Sequence, residues 1–130
     1  MFTPRHKRFK PRKFLKLASD LINDKKYEEI SRIRTSIGRA YYAAHLFTKE
    51  KMERLGYNVP DDHTVHRFVI DELMDRGDTT IGGKLDRLFE KRRIADYRMD
   101  TPLNMGEGRY CVRLSDEVIN GAELLSHKKK

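Results

Sequence analysis

A single cysteine, Cys111, stands among the 130 residues, so no intrachain disulfide can form, and a reducing cytoplasm is the expected setting. No stretch approaches the roughly 18 consecutive apolar residues that a membrane span needs, and no membrane partner is expected. The basic N-terminus is not followed by the apolar stretch of a secretory signal. Alternation of the β type is missing, as are internal repeats and low-complexity tracts apart from the basic ends. Gly82-Gly83 and Gly106-Glu107-Gly108 lack the Lys-Ser/Thr of a phosphate-cradling loop and the strand that should precede one, and read as packing and turn glycines. Nucleophile-elbow and kinase signatures are absent too, so no cofactor is expected. His63 and His66, beside Asp61 and Asp62, could reach one metal from a single helical turn. With no second ligand cluster and one lone cysteine, no metal is expected, and helix-capping acids with surface histidines explain that segment more simply.

What the chain has in abundance is positive charge, +8 overall, concentrated at its ends. Residues 1–16 carry seven basic side chains (Arg5, Lys7, Arg8, Lys10, Arg12, Lys13 and Lys16) and no acid, and Lys128, Lys129 and Lys130 close the sequence. Setting these ten aside leaves 18 basic against 20 acidic residues, so the body is close to neutral. Arms of this kind bind phosphate by releasing counterions, with affinity that is salt-sensitive and blind to sequence; a solvated, solubilising end is the competing explanation.

Helical spacing organises the rest. Phe14, Leu17, Ala18, Leu21 and Ile22 mark one buried face after Pro11, and a short loop follows near Lys25–Glu28. Ile30, Ile33, Ile37, Ala40 or Tyr41, Ala44 and Phe47 define the longest helix, ended by Gly56. Asp61-Asp62 open a third helix through Val65, Phe68, Val69 and Leu73, stopped at Gly77. A fourth runs from Asp78 or Thr79 through Ile81, Leu85, Leu88 and Phe89. Residues 98–114 read as a long loop, and a final helix is expected from Ser115, acting as cap, through Val118, Ile119, Ala122 and Leu125. The expected architecture is all-α, an antiparallel up-down bundle of four to five helices over residues 12–126, with a basic arm at 1–11 and a basic tail at 127–130.

Two segments bring chemistry onto these faces: Arg39-Ala40-Tyr41-Tyr42-Ala43 and Arg92-Arg93-Ile94-Ala95-Asp96-Tyr97. Extending the stripe of Leu85 and Leu88 by helical steps reaches Arg92 and Ala95, so Arg92 belongs on or beside the buried edge. An arginine cannot shed its charge there and must find a carboxylate or a phosphate. Asp96 or Asp86 would supply the first; a cleft binding nucleic acid bidentately would supply the second. Tyr41, Tyr42 and Tyr97 are either core aromatics with bonded hydroxyls or the lining of that cleft.

The two motifs, in this order and separation, resemble those of the HEPN superfamily, in particular its small stand-alone branch with R-A-Y-Y-A and R-x-x-A-D-Y hallmarks. Phe14-Leu15-x-Leu17-Ala18-x-x-Leu21 and the segment Asp116–Leu125 are similar to that branch's first and last helices. The resemblance implies a bundle that forms a homodimer around a shared cleft. It also implies either a metal-independent endoribonuclease of a toxin–antitoxin or defence system, or an inactive relative that partners a minimal nucleotidyltransferase. Carried over, Arg92, Asp96 and Tyr97 would be the catalytic positions, and Arg39, Tyr42 and Arg93 would contact RNA, joined by Lys7, Arg8 and Lys10 of the basic arm on the strength of their charge. Active members place a histidine four to six residues after the arginine, whereas Tyr97 stands five positions after Arg92. A tyrosine titrates near 10 and is a poor base at neutral pH, which leaves His63 or His66 to enter from another helix, or Tyr97 to be a target of nucleotidyl transfer. A third reading has the arms alone binding nucleic acid around an architectural body.

Overall fold

In the computed structural model, which describes residues 8–126, the backbone forms five helices: α1 (Arg12–Ile22), α2 (Glu29–Arg54), α3 (Val65–Asp75), α4 (Thr79–Tyr97) and α5 (Met105–Glu123). No strand occurs among the described residues, and none of their helices is long and apolar enough to cross a membrane. The Glu28 side chain accepts from the amides of Ile30 and Ser31, satisfying two of the donors that a helix start leaves unpaired. At the other end Gly56 takes φ 98°, a left-handed conformation that a side chain disfavours, and the chain turns away. Gly77 does the same after α3, with φ 93°.

Helix α2 is the axis of the bundle and touches each of the other four helices. Ile33, Ile37, Ala40, Tyr41, Ala44 and Met52 are buried along it, so Ala40 and Tyr41 are both interior. They meet Ala18 and Ile22 of α1, Leu85 and Leu88 of α4, and Leu114, Val118 and Ala122 of α5 in one core. Leu17 and Ile30, expected on buried faces, are exposed instead. Each lies at the outer margin of its apolar stripe, where neighbouring helices do not reach.

The largest correction concerns residues 98–114. Only the segment up to Asn104 is irregular, and α5 begins ten residues before Ser115. Asn104 accepts from the Glu107 amide at 2.9 Å while the Glu107 side chain accepts from the Asn104 amide, a capping box in which each group satisfies the other's donor. Gly106 and Gly108 look like breakers, and each costs a helix about 1 kcal/mol relative to alanine. Packing outweighs that cost at Gly108, where an added Cβ would lie 2.6 Å from Ile22 Cδ1, so the missing side chain lets α5 close on α1. Ser115 is no cap: it is fully buried, and its hydroxyl donates to the Ala40 carbonyl at 2.7 Å. Gly82 serves α3 and α4 similarly, since a Cβ there would meet Met74 Sδ at 2.7 Å.

Candidate functional site

The two sequence motifs come together where α4 crosses α2. Arg92 lies at the edge of the core with its side chain 14% exposed. Its Nη2 donates to the Tyr42 hydroxyl at 2.9 Å, and its Nε stands 3.0 Å from Asp96 Oδ2, an ion pair whose N–H is not aligned as a hydrogen bond. Asp96 is one helical turn on and partly open to solvent, and it approaches α2 over Gly38, whose absent Cβ would sit 3.6 Å from Asp96 Oδ1. The carboxylate route to satisfying Arg92 is therefore taken, through one of its three nitrogens. Nη1 has no partner among the described residues. The guanidinium also lies over three rings, with Cζ 5.2 Å from the Tyr42 centroid, 5.7 Å from Tyr97 and 5.8 Å from Tyr41.

Behind this edge is an aromatic stack that draws on three helices. His66, from α3, lies between the Phe89 ring, 5.6 Å away and nearly parallel, and the His45 ring, 4.5 Å away. Tyr41 stacks on His45 at 5.4 Å, and its hydroxyl shares a hydrogen bond of 2.5 Å with His66 Nδ1. Burial makes charge expensive throughout. It pushes the Tyr41 phenol up, so the hydroxyl keeps its proton. Burial, followed by the nearby His66, Lys49 and Arg92, drives His45 down to about 3. Desolvation and then Arg92 lower His66 as well, leaving it neutral near pH 7. Tyr42 borders both halves of the site, since its ring is 6.0 Å from that of His66.

The remaining predicted residues separate. Tyr97 is 69% exposed, with its ring beside Arg92. Arg39 is half-buried between two rings, with Cζ 4.6 Å from Phe14 and 5.3 Å from Tyr42. Arg93 is exposed, pairs with Glu90 at 3.3 Å and lies over Phe89, on the far side of the stack. Arg8 is tied to Glu50 at 2.7 Å, Lys10 is exposed just before α1, and Lys7 and the basic tail lie outside the described residues. No three His, Cys, Asp or Glu side chains among the described residues are placed to hold a metal. A groove of about 470 Å³ between α1 and α5, lined by Arg12, Lys16, Arg109 and Arg113 among others, lies apart from the two motifs.

Two contributors lie outside the two motifs. His45 follows Tyr41 by four residues, the spacing that stacks side chains on one helix face, so its place was recoverable. Arg34 was not: its guanidinium donates to the carbonyls of Ile94, Ala95, Arg98, Met99 and Thr101 at 2.8–3.5 Å. Ile94 and Ala95 belong to the last turn of α4 and the other three follow it, so Arg34 ties the end of α4 to the loop after it and fixes where Asp96 and Tyr97 stand. Comparison with protein-family models, curated proteins and solved structures yields no match for this chain.

Proposed function

We propose that this chain is a cytoplasmic RNA-directed protein of HEPN type, working as a homodimer, that holds backbone phosphate at Arg92 and cleaves RNA without a metal. The observation that carries the reading is the convergence of Arg92, Tyr42, Tyr97 and His66 from three helices at one edge, with Arg92 Nη1 unpaired among the described residues. An incoming phosphate oxygen would take Nη1 and compete with Asp96, whose partial exposure keeps the ion pair weak. In the tautomer that donates Nδ1–H to the Tyr41 oxygen, His66 has its lone pair on Nε2 for the 2′-hydroxyl proton. The 2′-oxygen then attacks phosphorus, the 5′-oxygen leaves with a proton from solvent, and Arg92 stabilises the charge that builds on the phosphoryl oxygens. In this scheme the imidazole arrives from α3 and replaces the one missing after Arg92.

The test is cleavage of labelled RNA in the presence of EDTA. Arg92→Ala and His66→Gln should each lower the rate by about 10² or more, with folding checked by circular dichroism. Finding neither Arg92-dependent cleavage nor Arg92-dependent binding at low salt would refute the proposal.

A second reading is a non-catalytic module that partners a minimal nucleotidyltransferase. It is favoured by the Arg92–Asp96 pair and by Tyr97, which presents its ring and hydroxyl to solvent in the histidine's place. Stable association with such an enzyme and no turnover of RNA would select it.

A further inference from the structure

Arg39 has a half-buried guanidinium with no carboxylate and no hydrogen-bond partner among the described residues, pressed between the Phe14 and Tyr42 rings. It is one step in a continuous row. Phe9 packs on Phe14 with centroids 4.6 Å apart, Arg39 bridges Phe14 to Tyr42, and Arg92 bridges Tyr42 to Tyr97. No step exceeds 5.7 Å. The row runs ring, ring, cation, ring, cation, ring across the segment before α1, then α1, α2 and α4, and it ends in an exposed ring on both sides, Phe9 at 50% and Tyr97 at 69%. A groove of about 340 Å³ lined by Arg8, Phe9, Lys10 and Lys13 opens at the Phe9 end.

We infer that this row is a track for single-stranded RNA, with unpaired bases stacking on Phe9 and Tyr97 and backbone phosphates held by Arg39 and Arg92 between them. The inference rests on the RNA reading above and adds to it the form of the ligand and its path. A guanidinium beside a ring keeps N–H groups for phosphate: among the described residues Arg39 has no partner for its own, and Arg92 has Nη1 open. Ring faces accept any base that is free to stack, whereas bases inside an A-form duplex are already covered by their neighbours. The track also unites the basic N-terminal segment with the Arg/Tyr motifs, so the arm and the body act on one strand.

Fluorescence anisotropy at low salt, with a labelled oligouridine of about 12 nucleotides and a labelled RNA duplex of equal length, provides the test. Phe9→Leu and Tyr97→Leu remove a ring face while retaining an apolar side chain, and both positions are open enough for the fold to survive, as thermal melts would verify. Each should weaken single-strand binding about tenfold and leave the weaker duplex binding unchanged. Equal affinity of the wild type for strand and duplex would overturn the track, as would leucine variants that bind like the wild type. If Arg92→Ala weakens binding while the leucine variants do not, the track alone fails; if the wild type binds no RNA at all, the underlying reading falls with it.

Discussion

Lowering the pH from 7 to 5 should destabilise this protein, chiefly through His45. Its ring is buried among Tyr41, Tyr42 and His66, its Nδ1 has no hydrogen-bond partner among the described residues, and burial pushes its pKa down to about 3. In the unfolded chain the same imidazole titrates near 6.5. The unfolded state therefore takes up a proton that the folded state refuses, and stability present above about pH 6.5 is lost as the pH falls toward the folded value. Applying the two pKa values to a single site gives a loss of about 2 kcal/mol between pH 7 and pH 5. His66, lowered by the same burial and by Arg92, adds to the loss in the same direction. Urea unfolding at fixed salt and protein concentration measures it: with a slope of about 1–3 kcal/mol/M, the midpoint should drop by roughly 1 M. His45→Leu removes the titration, so its loss over the same interval should be about 2 kcal/mol smaller than that of the wild type, whatever its stability at pH 7. Parallel shifts of wild type and variant would show that the folded protein protonates His45 freely, and the account of the stack would be wrong.

Arg34→Ala leaves the carbonyls at the end of α4 without their shared donor, and should cost about 2 kcal/mol or more. Hydrogen exchange should quicken at the last turn of α4 before it quickens elsewhere, and Arg34→Lys, which cannot span five acceptors, should not restore protection. Gly38→Ala places its Cβ at an ordinary 3.6 Å from Asp96 Oδ1 and gains helix propensity, so thermal melts should show equal or higher stability. Gly56→Ala, forced into φ 98°, should instead lose about 1 kcal/mol in the same assay.

Local rules determined much of this molecule. Helical spacing and the stops at Gly56 and Gly77 placed four of the five helices, because each depends on side chains three or four residues apart or on a backbone conformation that glycine tolerates. The same spacing put Arg92 beside the core and named Asp96, one turn along, as a neighbour able to pair with it. The start of α5 was written in Asn104 and Glu107 but obscured by Gly106 and Gly108, whose value as a gap for Ile22 exists only once α1 lies against α5. Residues distant in the chain were decided by tertiary structure alone. His66 reaches Tyr41 because α3 folds back beside α2, Arg34 finds the end of α4 across sixty residues, and Phe9 lines up with Tyr97 through Arg39 and Arg92. Sequence periodicity states which side of a helix is buried; which other helix covers it, and therefore which charges and rings meet there, is settled only when the whole core packs.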